Sequence, residues 1–116
     1  MQDDLRWAMS TPWVAARLGM DPLEVERLRR AGELFAVRPP GGADWLYPSW
    51  QFETSGRVRP AVAAVLRTAR ERGVGAARLY ELLRRRTGLV EGKRLLDVLL
   101  EGGEDRVLAV IRGTAA

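Results

Sequence analysis

The chain has 116 residues, is 47% hydrophobic and carries a formal charge of +4, which suffices for one compact domain or two very small ones with modest cores. It contains neither cysteine nor histidine, which excludes disulfides, thiolate metal sites, histidine triads and histidine-based zinc chemistry, and suits a reducing intracellular compartment. The apolar runs fall far short of the roughly 20 residues of a membrane span, and the acidic start MQDD is unlike a signal peptide, so a soluble, cytoplasmic protein with no membrane partner is expected.

The charge is unevenly spread. Residues 1 to 58 hold seven arginines against eight acids, a net of −1, and the rest of the chain holds 12 basic residues against seven acids, a net of +5. Any anion-binding surface in the front half must therefore come from local clustering rather than from overall basicity.

In chain order, MQDDLRWAMS reads as a short helix without a clear period. Ser10 or Thr11 then caps a helix opened by Pro12, with Val14, Ala15 and Leu18 as its apolar stripe and Gly19 as its stop. DPLE repeats the device: Asp21 caps, Pro22 starts, and Glu24 completes a capping box. This second helix runs to Arg30 or Ala31, turns Leu23 or Val25 and Leu28 inward, and ends at Gly32. Two capped helices with a tight turn between them make a helix-turn-helix.

ELFAV and WLYP have strand composition, and RPPGGAD between them is turn chemistry. The predicted hairpin must lie on the helices through Leu34, Ala36, Trp45 and Tyr47, because an isolated ribbon is marginal. Such a wing puts Arg38, Gly41 and Gly42 at its tip, near the backbone or minor groove of a duplex whose major groove takes the second helix. Trp45, Tyr47, Trp50 and Phe52 could stack on bases, but read more naturally as the core joining hairpin to helices.

Thr54, Ser55 and Gly56 read as a linker, dividing the chain into residues 1–56 and 57–116. The second part shows helical periodicity at Val62, Val65, Leu66 and Ala69, at Leu79, Leu82 and Leu83, at Leu95 or Leu96 with Leu99, and at Val107, Leu108 and Ile111. Glycine loops between these four helices give a small bundle. The predicted fold is mainly α: a winged helix-turn-helix with a small β-hairpin, then a helical bundle. The Gly73–Gly75 pair lacks a preceding strand and is a helix break, not a nucleotide fingerprint. The Arg84–Arg86 run reads as a solvated helix end whose cations complement the dipole. Asp97 and Glu101 read as solvated carboxylates, so no catalytic residue, cofactor or metal is expected and the protein is not read as an enzyme.

VAARLGMDPLEVERLRRAGELFAVR followed by WLYP resembles the winged helix-turn-helix of MerR-type regulators and phage excisionases. The resemblance implies binding of double-stranded DNA, with Glu26, Arg27, Arg29 and Arg30 as exposed candidates on the second helix. Thr11, Arg38, Gly41 and Gly42 complete the candidate DNA-binding set. Arginine at these positions can pair with guanine or grip phosphate.

GLVEGKRLLDVLLEGGEDRVLAVI, residues 88–111, is similar to the C-terminal toxin-binding domain of Xre/MbcA/ParS-type antitoxins, with Leu89, Gly92, Leu96, Asp97, Leu99, Gly102, Val107 and Leu108 as matching positions. Leu95 stands where that family usually has proline, and Gly103 where it usually has aspartate. The resemblance implies an antitoxin and autorepressor of a bacterial toxin-antitoxin system whose rear half binds a protein partner, a toxin often of the RES type, through Leu89, Gly92, Leu96, Asp97, Gly102 and Arg106. A homodimer is expected, since one short helix reads too few bases for useful specificity. The alternatives are an excisionase-like or architectural DNA-binding protein of a mobile element, and a protein-interaction adaptor that does not contact nucleic acid.

Overall fold

The computed structural model describes residues 8–39, 41–42, 44–86 and 92–114. The protein is mainly helical, and its chain forms two compact units, Met1–Arg59 and Pro60–Ala116.

In the first unit, α1 (Thr11–Leu18) and α2 (Pro22–Arg30) are joined by a three-residue turn. Gly19 ends α1 at φ 68°, a left-handed conformation that favours glycine. The Gly19 and Met20 N–H groups then donate to the Ala16 and Ala15 carbonyls, which closes the helix end. Asp21 caps α2 by accepting the Leu23 N–H at 2.8 Å. Ser10 precedes α1 without a side-chain cap bond. The core joins Val14 and Ala15 of α1 and Val25 of α2 to Leu34, Ala36, Tyr47 and Phe52. Val25 faces inward, whereas Leu23 is left exposed to solvent.

Met9 is not helical; its backbone pairs antiparallel with Tyr47 through two 2.8 Å hydrogen bonds. The rest of MQDDLRWAMS before Ala8 lies outside the described residues.

The segments expected as strands meet at a single antiparallel rung, Val37 with Leu46, whose two hydrogen bonds are 2.9 and 2.8 Å. Its neighbours explain why pairing stops there. Toward the turn, Pro39 has no N–H to donate. On the other side, the register would pair Phe35 with Pro48, which also lacks an N–H. The buried side chain of Gln51, in the 3₁₀ turn Ser49–Gln51, takes that place. Its Oε1 accepts the Phe35 N–H at 2.8 Å, and its Nε2 donates to the Phe35 and Pro48 carbonyls at 2.8 and 3.0 Å. One amide thus performs the hydrogen bonding of a missing strand neighbour.

The second unit contains α3 (Pro60–Glu71), α4 (Ala76–Arg84), α5 (Leu95–Leu100) and α6 (Glu104–Arg112). α3 packs on α5 and α6, and α5 packs on α4 and α6. Val62, Val65, Leu66, Ala69, Leu79, Leu82, Leu83, Leu95, Leu96, Leu99, Val107, Leu108 and Ile111 are all buried, so the 3.6-residue period of each segment matches its inward face. The arginine run does not continue α4. Arg85 is extended, its carbonyl accepts the Leu95 N–H at 3.0 Å, and Arg86 forms an isolated bridge with Arg94.

Gly103 sits where a side chain has no room. A Cβ placed there would meet the Val98 side chain and come within 2.9 Å of the Val98 carbonyl oxygen, so aspartate cannot enter without moving α5. Gly103→Ala is therefore expected to lower stability in urea denaturation by about 1–3 kcal/mol, the usual range for overpacking. Gly113→Ala, where the nearest atom would be 3.5 Å away, is the matched control; equal stability of the two variants would contradict this packing.

Candidate nucleic-acid interface

α2 presents its charged residues because its apolar ones are used inside. Val25 is completely buried and Leu28 packs partly against the same core, which leaves Leu23, Glu26, Arg27 and Arg30, spaced at i, i+3, i+4 and i+7, along the opposite side. The side chains of Arg27 and Arg30 are 61% and 71% exposed.

Both of these arginines carry an intrahelical carboxylate. Arg27 donates from Nε and Nη2 to the two oxygens of Glu24, at 2.9 and 2.5 Å, and Arg30 Nη2 lies 3.3 Å from Glu26 Oε1. The hydrogen bond from Arg27 holds the Glu24 carboxyl below its ordinary range, and the same bond raises Arg27. Glu24 therefore serves Arg27 rather than closing a capping box on Asp21. Exposed pairs of this kind are weak and salt-sensitive, so an incoming phosphate can replace the carboxylate.

Arg29 and Arg38 are arranged differently. The guanidinium carbon of Arg29 lies 4.2 Å from the centroid of the Trp45 ring, and that of Arg38 lies 4.7 Å from the same ring. Among the described residues, neither has a carboxylate within ion-pair distance. The turn beside them is closed by the Gly42 N–H donating to the Pro39 carbonyl at 2.9 Å, with Gly41 and Gly42 exposed. Trp45 is half-buried against the unit's core. Thr11 is less available than its position suggests, because its hydroxyl donates to the buried Tyr47 hydroxyl at 3.2 Å.

Sequence reasoning missed the aromatic support beneath Arg29 and Arg38, because no local spacing links a helix residue to a tryptophan 16 positions later. It also missed the exposure of Trp13, 71% accessible on α1.

In the second unit the candidate partner-binding residues differ in exposure. Leu96 is only 3% exposed and belongs to the core. Asp97 accepts the Arg94 backbone N–H at 3.0 Å and the Arg94 guanidinium at 3.0 and 3.1 Å, and this hydrogen bonding lowers its pKa. Glu101 pairs with Lys93, so both carboxylates of α5 and its C-cap are occupied by cations. Gly92, Gly102 and Arg106 are exposed, and the Gly92 carbonyl accepts from Arg86. Leu89 lies outside the described residues. No group of His, Cys, Asp or Glu that could hold a metal occurs among the described residues, and no described helix is long and apolar enough to cross a membrane.

No protein-family model and no curated protein matches the chain. Among solved structures, an NMR structure of Rv2175c is similar, with a TM-score of 0.73 and 24% identity, covering 94% of this chain and 81% of that one. The likeness is one of fold.

The Glu24–Arg27 pair is directly measurable. Side-chain NMR titration is expected to show Glu24 ionising below the free glutamate value of about 4.3, and Arg27→Ala is expected to return it toward that value. A Glu24 titration unmoved by the substitution would remove the pair from solution.

Proposed function

We propose that the protein is a DNA-binding transcription regulator whose first unit acts as a winged helix-turn-helix, α2 entering the major groove and the 38–45 turn serving as the wing. The observation that carries this reading is the placing of four arginines on two neighbouring elements: Arg27 and Arg30 on the solvent face of α2, with Arg29 and Arg38 sharing the Trp45 ring and, among the described residues, without a carboxylate at ion-pair distance. Glu24 and Glu26, two of the acids behind the net acidity of this half, pair with Arg27 and Arg30, so they temper those two arginines and not Arg29 or Arg38. The single Val37–Leu46 rung suffices for a short wing, since its base is fixed by Gln51 and by the Met9–Tyr47 pairing.

In this reading the protein acts as a dimer, two half-sites multiplying the specificity of one short helix. The second unit binds a protein partner, in the manner of the antitoxins it resembles in sequence. The burial of Leu96 makes that residue a support for the binding surface rather than a contact. With Leu96 inside, the exposed Gly92, Gly102 and Arg106 are the members of the candidate set best placed to touch a toxin.

Fluorescence anisotropy with duplex DNA from upstream of its own gene, measured over a range of salt, tests the DNA-binding function. The triple substitution of Arg27, Arg29 and Arg30 by alanine is expected to weaken binding by at least tenfold and flatten its salt dependence with helical content unchanged. Glu24→Gln, which releases Arg27, is expected to strengthen binding. Unchanged affinity in the triple variant would move the interface off α2.

A further inference from the structure

The four arginines fall into two chemically distinct pairs, and the distinction has a consequence. Arg27 and Arg30 are held by carboxylates on their own helix, and either can release its partner to reach a base or a phosphate. Arg29 and Arg38 are held by an aromatic ring. A guanidinium held by an aromatic ring commits no N–H to a carboxylate, and its N–H donors are the groups that bind phosphate oxygens.

Their placement follows from the local pairing. With Val37 opposite Leu46, Arg38 and Trp45 stand opposite each other in the next, non-hydrogen-bonded position, where facing side chains come closest. Arg29 arrives from the last turn of α2, whose end is closed by the Gly32 N–H donating to the Arg29 carbonyl at 3.0 Å and the Glu33 N–H to the Leu28 carbonyl at 2.8 Å. Because both guanidinium carbons lie near one ring centroid, their separation cannot exceed the sum of those distances, 8.9 Å. Arg29 Nε is shielded from solvent and has no hydrogen-bond partner, so the donors it offers are its two terminal nitrogens. Two guanidiniums on one ring, with no carboxylate within ion-pair distance of either among the described residues, favour an anion beside them.

We propose that Arg29, Arg38 and Trp45 form one phosphate clamp that grips a single point of the DNA backbone, Trp45 acting as the positioning residue that brings the two guanidiniums together. This rests on the DNA-binding reading above and refines it. The wing arginine does not act as an independent minor-groove probe, and Arg29 does not read a base. The two supply sequence-independent anchorage, and sequence discrimination is left to Arg27, Arg30 and the rest of the outer face of α2.

The test measures affinity for the upstream duplex and for a scrambled duplex, across salt, for wild type and for Arg29→Gln, Arg38→Gln, the double variant and Trp45→Met. Each single arginine variant is expected to weaken both duplexes by a similar factor, on the order of tenfold, and to lower the slope of log affinity against log salt by about one phosphate. The double variant should lose no more slope than either single, because both arginines serve the same phosphate. Trp45→Met, which removes the aromatic face but keeps an apolar side chain against the core, should behave like a single arginine variant. The exposed Arg38→Gln keeps the test decisive if Trp45→Met fails to fold. Additive slope losses, or a loss confined to the upstream duplex, overturn the clamp. Wild-type affinity in the double variant overturns the clamp and leaves DNA binding standing, whereas a wild-type chain that binds neither duplex overturns both.

Discussion

The first unit depends on the buried amide of Gln51. A chain leaving a helix end and turning back through Pro39 and Pro48 cannot complete a β-ladder, because proline removes the donors that a ladder needs. Gln51 supplies those bonds from a side chain, accepting from one Phe35 backbone group and donating to the other. Its cost is the burial of a polar amide, offset by three hydrogen bonds in a site closed to water. The gain is a short, fixed base from which the Pro39–Gly42 turn projects without needing long strands. Tyr47 fixes the other edge, its backbone bonded to Met9 and its hydroxyl to Thr11. The position of Arg38 over Trp45 follows from these constraints.

The electrostatics of α2 follow a similar economy. A helix with three arginines in its last turn gains from its own dipole, and two nearby glutamates keep the chain from carrying a dense uncompensated charge when no partner is present. Those glutamates lie N-terminal to their arginines at i,i+3 and i,i+4, the orientation that favours pairing on a helix. Among the described residues Arg29 has no such partner, and it rests on an indole instead. One helix thus combines two cations paired with carboxylates and one resting on an aromatic ring.

Much of the helical architecture was legible because helix signals are local. Pro12, Asp21 and Pro22 mark the starts, Gly19 and Gly32 the stops, and the second unit's apolar residues recur at the helical period and are buried accordingly. Misread features involve choices between partners that spacing alone does not decide. Glu24 stands three residues from both Asp21 and Arg27, and the guanidinium, with two donors, captures it. Leu23 and Val25 were equivalent candidates until the packing of α2 on α1 set the inward face. ELFAV and WLYP have strand composition, yet Pro48 and Gln51 end their pairing after one rung. Gln51 itself leaves no trace in a hydrophobic pattern, and the Arg29–Trp45–Arg38 arrangement joins residues whose proximity exists only once the turn is folded. The need for glycine at position 103 becomes intelligible only beside Val98.

The central claim is that the outer face of α2 and the adjoining turn form the surface that meets DNA. Titrating uniformly ¹⁵N-labelled protein with the upstream duplex and following backbone amide shifts tests it most directly. The account predicts that the largest changes fall on residues of α2 and on Arg38, Gly41, Gly42 and Trp45, while the core residues of α3 and α6 stay in place. Changes centred on α4 to α6, with α2 and the turn unmoved, would contradict it.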